Sequence, residues 1–346
     1  MKVNRLLRWV SLSIFAASAV LLSGCSQIYK TGGNVALGFT ENHMIAPQFA
    51  LDDVTMACVS GESLTPLIMG AEGVKADVNE LAVLLYTSAG LCAEQRALEY
   101  ELRYMRSSRA NLIDDAQDAR IMQKREAEVA ARRQYEAYKH LEAYFDGEKH
   151  APIGSKCPRF SRDFDQFVYM LGLISGVQAM VNDIAAQQAV GVPKDIAAKV
   201  ERGMQCLDNT KWWGAPMALR ATIWTLLPGS GDGKGDPWET LKQSMGIGER
   251  AGVRLPHAMY AMAAQAKGDE KLMRDAIRSF AATQQFSPNP QYRLIDRMAY
   301  QIVLNISDRY WTDKTGSRTP PGSLGKFWDD KPVQQDDGIQ IDDLLK

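Results

Sequence analysis

Two stretches of this sequence carry apolar or small residues at alternating steps of three and four, a spacing that admits little besides long packed α-helices. In the first, Leu81, Leu84, Ser88, Leu91, Gln95, Leu98, Leu102 and Met105 form the seam. In the second, Ala127, Ala131, Gln134, Tyr138, Leu141 and Phe145 repeat it, with Lys124, Arg125, Glu126, Arg132, Arg133, Glu136 and Lys139 outside. A repeat of roughly 3.5 residues keeps one stripe of a helix turned toward a partner. The polar stretch from Ser107 to Asp115 joins the two, which predicts a long antiparallel hairpin extending beyond the body.

The remaining chain reads helical as well. After a loop from Gly147 to Pro158, shorter segments fall near 160–189, 193–207, 213–227, 236–250, 255–266, 269–285 and 289–311. Leu294, Ile295, Met298, Ala299, Ile302, Val303 and Ile306 mark one face of the last, and Leu272, Met273, Ala276, Ile277 and Phe280 one face of its predecessor. The expected fold is all-α: a TPR-like α-solenoid of stacked antiparallel helical hairpins, with the long hairpin near the N-terminus. Gly268-Asp269-Glu270 through Phe286 and Pro288-Asn289 resembles the second helix of a tetratricopeptide unit, and Lys194 to Asn209 is a weaker copy. Neither fits a full consensus, so any repeat is degenerate. The helical domain is expected over residues 51–312, after a flexible tether over 25–50 and before a disordered C-terminal tail over 313–346.

Ahead of the tether, Lys2, Arg5 and Arg8 precede an apolar run that closes in Leu21-Leu22-Ser23-Gly24-Cys25. Charge, then apolar residues, then small residues before a cysteine is the order of a lipoprotein signal peptide, here residues 1–24. Cys25 would become the acylated first residue, and two or more acyl chains hold a protein stably to a membrane. Ser26 stands where an aspartate would favour the inner membrane, so the expected location is periplasmic, at the outer membrane. A plain secretory signal or one membrane span is the alternative, but roughly 17 residues is short for a span.

Four further cysteines, Cys58, Cys92, Cys157 and Cys206, suit two disulfides in an oxidising compartment. If residues 52–71 and 79–107 form a hairpin turning near 74–75, Cys58 faces Cys92, and Cys157 with Cys206 follows by elimination. Free buried cysteines, acting as small hydrophobes, remain the other reading.

Catalytic and metal-binding patterns are not evident. His43, His140, His150 and His257 form no His-Glu-x-x-His zinc helix, no Cys-x-x-Cys pair is present, and neither a nucleophile elbow nor a phosphate loop appears. His140, on a charged helix, reads as solvated. The run Gly229 to Asp236 alternates Gly and Asp but lacks EF-hand spacing, and reads as a connector. The chain carries 40 basic and 41 acidic side chains, and removal of Lys2, Arg5 and Arg8 leaves about −4, which speaks against nucleic-acid binding. No catalytic residue, cofactor or metal is expected. Tyr169, Trp212, Trp213 and Trp224 are candidates to line an apolar ligand cavity, with ordinary interhelical core as the competing role.

Four blocks in order carry a family resemblance. They are Ser63-Leu64-Thr65-Pro66-Leu67-Ile68 with Asn79-Glu80-Leu81-Ala82-Val83-Leu84-Leu85; Ala130-Ala131-Arg132-Arg133-Gln134-Tyr135 into Tyr138; Asp163-Phe164-Asp165-Gln166-Phe167-Val168-Tyr169-Met170-Leu171-Gly172 through Gly176 to Asn182-Asp183; and Leu255-Pro256-His257-Ala258-Met259-Tyr260-Ala261-Met262-Ala263-Ala264 with Asp269-Glu270 and Leu272. So ordered, residues 51–312 resemble the TatT family, the periplasmic helical component associated with TRAP-type transporters. Departures are a longer, more charged hairpin around 107–118, and Arg297-Met298-Ala299 where a more basic pair is expected. The resemblance implies a non-catalytic lipoprotein that binds a periplasmic substrate-binding protein and receives or passes a small organic or apolar solute. Self-association is left open. A TPR-like scaffold in envelope assembly or export is the alternative.

Overall fold

The computed structural model describes residues 27–146, 152–227, 229–283 and 287–331. The signal segment, the acylation candidate Cys25, the start of the loop after the long hairpin and the chain beyond residue 331 lie outside the described residues. The described chain is all helical, with no strand among its residues. In order, the helices are α1 (residues 27–43), α2 (Ile45–Phe49), α3 (Val54–Met69), α4 (Asn79–Arg109), α5 (Ile113–Asp146), α6 (Asp163–Ala185), α7 (Ile196–Gly203), α8 (Ala215–Leu226), α9 (Pro237–Ala251), α10 (Leu255–Lys267), α11 (Glu270–Ala282) and α12 (Arg293–Thr315).

The seam residues do what their spacing demands. Leu81, Leu84, Leu98 and Leu102 of α4 are buried, as are Ala127, Ala131, Gln134, Tyr138, Leu141 and Phe145 of α5. The hairpin turns through only Ala110, Asn111 and Leu112, with Asn111 in the left-handed region at φ 57°. Helix α3 folds back on α4 through a short 3-10 turn, Gly70–Val74, closed by Lys75 at φ 60°. There Cys58 is joined to Cys92, with Cα atoms 5.3 Å apart. A second disulfide, Cys157 to Cys206, ties the loop after α5 to the chain end of α7 across a Cα separation of 5.2 Å.

Helix α6 runs through the middle of the body. Its residues Phe167, Val168, Tyr169, Met170 and Leu173 are buried among helices from both halves of the chain. Among the described residues it is the one helix long and apolar enough to cross a membrane, yet 67% of its most apolar window is buried within the protein, as a core helix requires. Its register against α5 depends on two glycines. Tyr138 and Leu141 lie over Gly176 and Gly172, where a Cβ would meet Tyr138 Cδ2 at 2.5 Å and Leu141 Cδ1 at 2.8 Å.

In the C-terminal half, α10 packs against α8, α9, α11 and α12. The turns follow sequence chemistry. Asp236 caps α9 by accepting from the Trp238 and Glu239 amides, at 2.7 and 2.9 Å. Gly268 closes α10 at φ 70°, and Asp269 caps α11 by accepting from the Leu272 amide at 2.9 Å. The loop before α10 is fixed to α12 by a buried bidentate ion pair, Arg254 Nε to Asp296 Oδ1 at 2.9 Å and Nη2 to Oδ2 at 2.5 Å.

The two flanking segments differ from their sequence expectation. Residues 27–43 of the expected tether are helical, held by buried Leu37, by an Asn34 side chain accepting from the Asp77 amide at 3.1 Å, and by Glu41 paired with Arg162. The expected disordered tail begins inside α12, and residues 316–331 form a strap across α11 and α12. Leu324 and Phe327 are buried, Arg274 lies 4.4 Å above the Phe327 ring, and Arg278 pairs with Asp330 at 2.6 Å. A few well-placed aromatic and acidic side chains suffice to hold a segment whose composition reads as unstructured.

One charged cluster joins the N-terminal helix to the body. Arg162 bonds Glu80 at 2.9 Å and Asp165 at 2.8 Å as well as Glu41. Three carboxyl groups share a single guanidinium, so burial together with the neighbouring Glu41 charge pushes Glu80 up to about 7.

Two outcomes are expected. In an open helix Gly→Ala gains roughly 1 kcal/mol of helix propensity, but Gly176→Ala drives a methyl into the buried Tyr138 ring and should destabilise by about 1–3 kcal/mol in denaturant titration. A neutral or stabilising change would show that the α5–α6 contact is loose. Because Glu80 takes up its proton more readily in the folded state, its contribution to stability is complete below about 4.5 and lost as pH rises through about 7. The unfolding free energy of the native chain minus that of Glu80→Gln should therefore fall across this interval; a flat difference would refute the assignment.

Candidate functional site

Helices α4 and α12 run parallel, although some two hundred residues separate them, and their contact is polar. Gln95 Oε1 accepts from Asn305 Nδ2 at 3.3 Å, Glu101 Oε2 accepts from Arg309 Nε at 2.7 Å, and Arg109 Nη1 donates to the carbonyls of Asp313 and Lys314 at 3.2 Å each. Long polar side chains hold the two helices apart where aliphatic residues would draw them together. Between them, α5, α6 and α10 wall a cleft of about 360 Å³, within the size range of small-molecule sites. A smaller lobe of about 190 Å³ opens toward α3. Both lobes are lined by Glu94, Ile302 and Asn305, which therefore mark their junction.

The walls are mixed. Val177, Val181, Met262, Ile302 and Ile306 supply apolar surface, and Gln123, Gln178, Asn182, Gln265 and Asn305 supply amides. Glu94 sits on the floor, where Asn182 Nδ2 donates to its Oε1 at 2.6 Å and to Gln134 Oε1 at 2.8 Å. Gln134 is fully buried, and its Nε2 has no acceptor in hydrogen-bonding geometry. Among the described residues no cation forms an ion pair with Glu94, since Arg309 is held by Glu101. Burial raises the Glu94 carboxyl above the ordinary carboxylate range, while the Gln134 and Asn182 amides and the Arg309 charge pull it down less strongly.

The four aromatic candidates are elsewhere. Tyr169, Trp212, Trp213 and Trp224 are core residues, 1%, 2%, 3% and 8% exposed, and none lines the cleft. Tyr169 packs edge-on to Phe145 at 4.9 Å and to Phe160 at 5.3 Å. Trp212 stacks on Phe167 at 5.8 Å and donates through Nε1 to Gln166 at 3.0 Å, and Trp213 lies 4.5 Å from Tyr292. Trp224 donates to Glu201 at 3.1 Å, a carboxylate that Arg220 and Lys234 also hold. The aromatic rings fill the space a cavity would need, which corrects their assignment as ligand-lining residues. Sequence reasoning missed Glu94, Asn182 and Asn305; the one signal available was a polar residue, Gln95, within the α4 seam.

Other polar features serve the fold. His140 is half-buried, its Nδ1 2.8 Å from Asn79 Oδ1 and its ring stacked on Tyr86, where a solvated position was expected. His257 is buried with Nε2 2.9 Å from Glu249 Oε1, and burial lowers its affinity for a proton. The Gly229–Asp236 connector gives Lys234 to Glu201 and Asp236 to the α9 cap. Among the described residues no group of three or more His, Cys, Asp or Glu side chains is arranged to hold a metal. A second open concavity of about 540 Å³ lies at the tip of the long hairpin, beside exposed Ile113 and Ile121.

Compared with protein families, with curated proteins and with solved structures, the chain finds no match in any of the three.

Proposed function

We propose that this chain is a non-catalytic, lipid-anchored periplasmic protein akin to the TatT component of TRAP-type transporters. It docks a periplasmic substrate-binding protein and holds a small organic solute in the α4–α12 cleft. The observation that carries the reading is the cleft itself: an opening of about 360 Å³ with both apolar walls and converging amides. The four sequence blocks that resemble the TatT family support it. So does the helix pairing: α8 packs on α9 and α10 on α11, and α10 is seated against both members of the preceding pair, as stacked helix pairs require. The anchor at Cys25 is supported by the exposed stripe Ile28, Val35 and Phe39 on α1, which begins three residues beyond that cysteine and offers apolar surface to a bilayer.

The filled aromatic core favours a second reading, a TPR-like scaffold in envelope assembly or export, for which no solute site is needed. The two separate by partner. Chemical crosslinking in intact cells, followed by purification of the anchored protein, is expected to recover a TRAP-type substrate-binding protein. Recovery of assembly or export components in its place would establish the scaffold.

A further inference from the structure

We propose that the α4–α12 cleft selects a small amphipathic organic cation, its ammonium head against the Glu94 carboxyl and its apolar part along Val177, Val181, Ile302 and Ile306. This rests on reading the cleft as the solute site and adds the chemical class of the solute.

Three ionisable groups face the cleft: Glu94 and Glu101 from α4, and Arg309 from α12. Those facing it from α5, α6 and α10, namely Gln123, Gln178, Asn182 and Gln265, carry no charge, and α3 contributes Val54 and Thr55 to the neighbouring lobe. Arg309 and Glu101 neutralise each other at 2.7 Å. Glu94 is therefore the one acidic group lining the cleft without an ion-pair partner, its hydrogen bonds coming from amides, among them Asn182 Nδ2 at 2.6 Å. A half-buried carboxylate with no cation beside it can be relieved by a proton or by a cation.

Each solute class meets this carboxyl differently. A carboxylate solute would face two acidic groups and a guanidinium already committed to one of them. A purely apolar solute would cover Glu94 and leave its hydrogen-bonding capacity unmet. An ammonium supplies both the opposite charge and the donors, and the Asn305 amide stands at the same junction. The apolar walls then take a short hydrocarbon chain, each buried methylene being worth about 0.8 kcal/mol.

Proton balance follows. Burial holds the proton on Glu94 in the free protein to higher pH than an ordinary carboxyl. Seating the ammonium requires the ionised form, so the Glu94 proton leaves to solvent as the cation enters. Affinity for the cation therefore rises with pH and levels off once Glu94 of the free protein has ionised.

Calorimetric titration of the full mature chain with n-hexylammonium, n-hexanol and n-hexanoate tests the assignment, since the three share a chain and differ in the head. Hexylammonium is expected to bind at least ~10-fold more tightly than either other probe, and Glu94→Gln to remove that preference. Repeating the titration in two buffers of different ionisation enthalpy should show proton release in the native chain and none in Glu94→Gln. Val181→Trp, on the cleft wall and 46% exposed, should weaken hexylammonium binding while leaving proton release per bound ligand intact. Equal or tighter binding of hexanoate or hexanol, weakened by Val181→Trp, would overturn the cation assignment and leave the cleft as a solute site. No binding of any probe would overturn the assignment and the solute-site reading together.

Discussion

The contact on which the rest of this molecule depends is the seating of α5 on α6, where Tyr138 and Leu141 occupy the surface left by Gly176 and Gly172. With side chains at those two positions the helices would stand further apart, and the ring of Tyr138 would lose the wall against which it is 1% exposed. Through this contact α6 is committed on one face to the long hairpin. Its other faces are left to receive α7 and the aromatic group of Trp212, Trp213 and Tyr292 around Phe167. The C-terminal half is tied to α6 through α7 and this aromatic group, and α12 also packs directly against α4.

The separation of α4 and α12 explains why a cleft exists at all. Elsewhere small residues let helices close on each other, as at Ala130, Ala131, Ala258, Ala261 and Ala264, all buried. Along α4 and α12 the facing positions include Gln95, Glu101, Asn305 and Arg309, whose side chains meet head to head. An ion pair spanning two helices fixes their distance without filling the space on either side. Interiors are otherwise packed to crystal-like density, so a gap bounded by paired polar groups is the form in which a helical body can keep one without collapse.

Much of the fold was legible because helical periodicity is local. The seams of α4 and α5, the short turn at 110–112, and the starts of α8 to α11 all fall near the positions that spacing and capping residues predict, and the Cys58–Cys92 pairing comes from hairpin arithmetic of the same local kind. The misread segments are those decided by distant contacts. Residues 27–43 are fixed by Leu37 and by Glu41 meeting Arg162 across 121 positions, and the strap beyond α12 is fixed by Arg274 and Arg278. The cleft was invisible for the same reason, since Gln95 meets Asn305 across 210 positions. Trp212, Trp213 and Trp224 misled because a large rigid ring fills a void as well as it lines one, and composition does not say which.

The acid cluster at Arg162 and the carboxyl of Glu94 differ in how their charge is met. At Arg162, three carboxyls crowd one guanidinium and every member has a partner, so the excess negative charge is taken up within the cluster by a proton on Glu80. At Glu94 the guanidinium of Arg309 is already matched by Glu101, and the carboxyl, bonded by amides, faces an opening in place of a cation. A closed cluster of the first kind orders the fold, since its groups gain nothing from a visitor. An unmatched group on the floor of a cleft keeps a debt of solvation that a bound molecule can settle, and that asymmetry, more than the volume of the opening, singles out the α4–α12 seam.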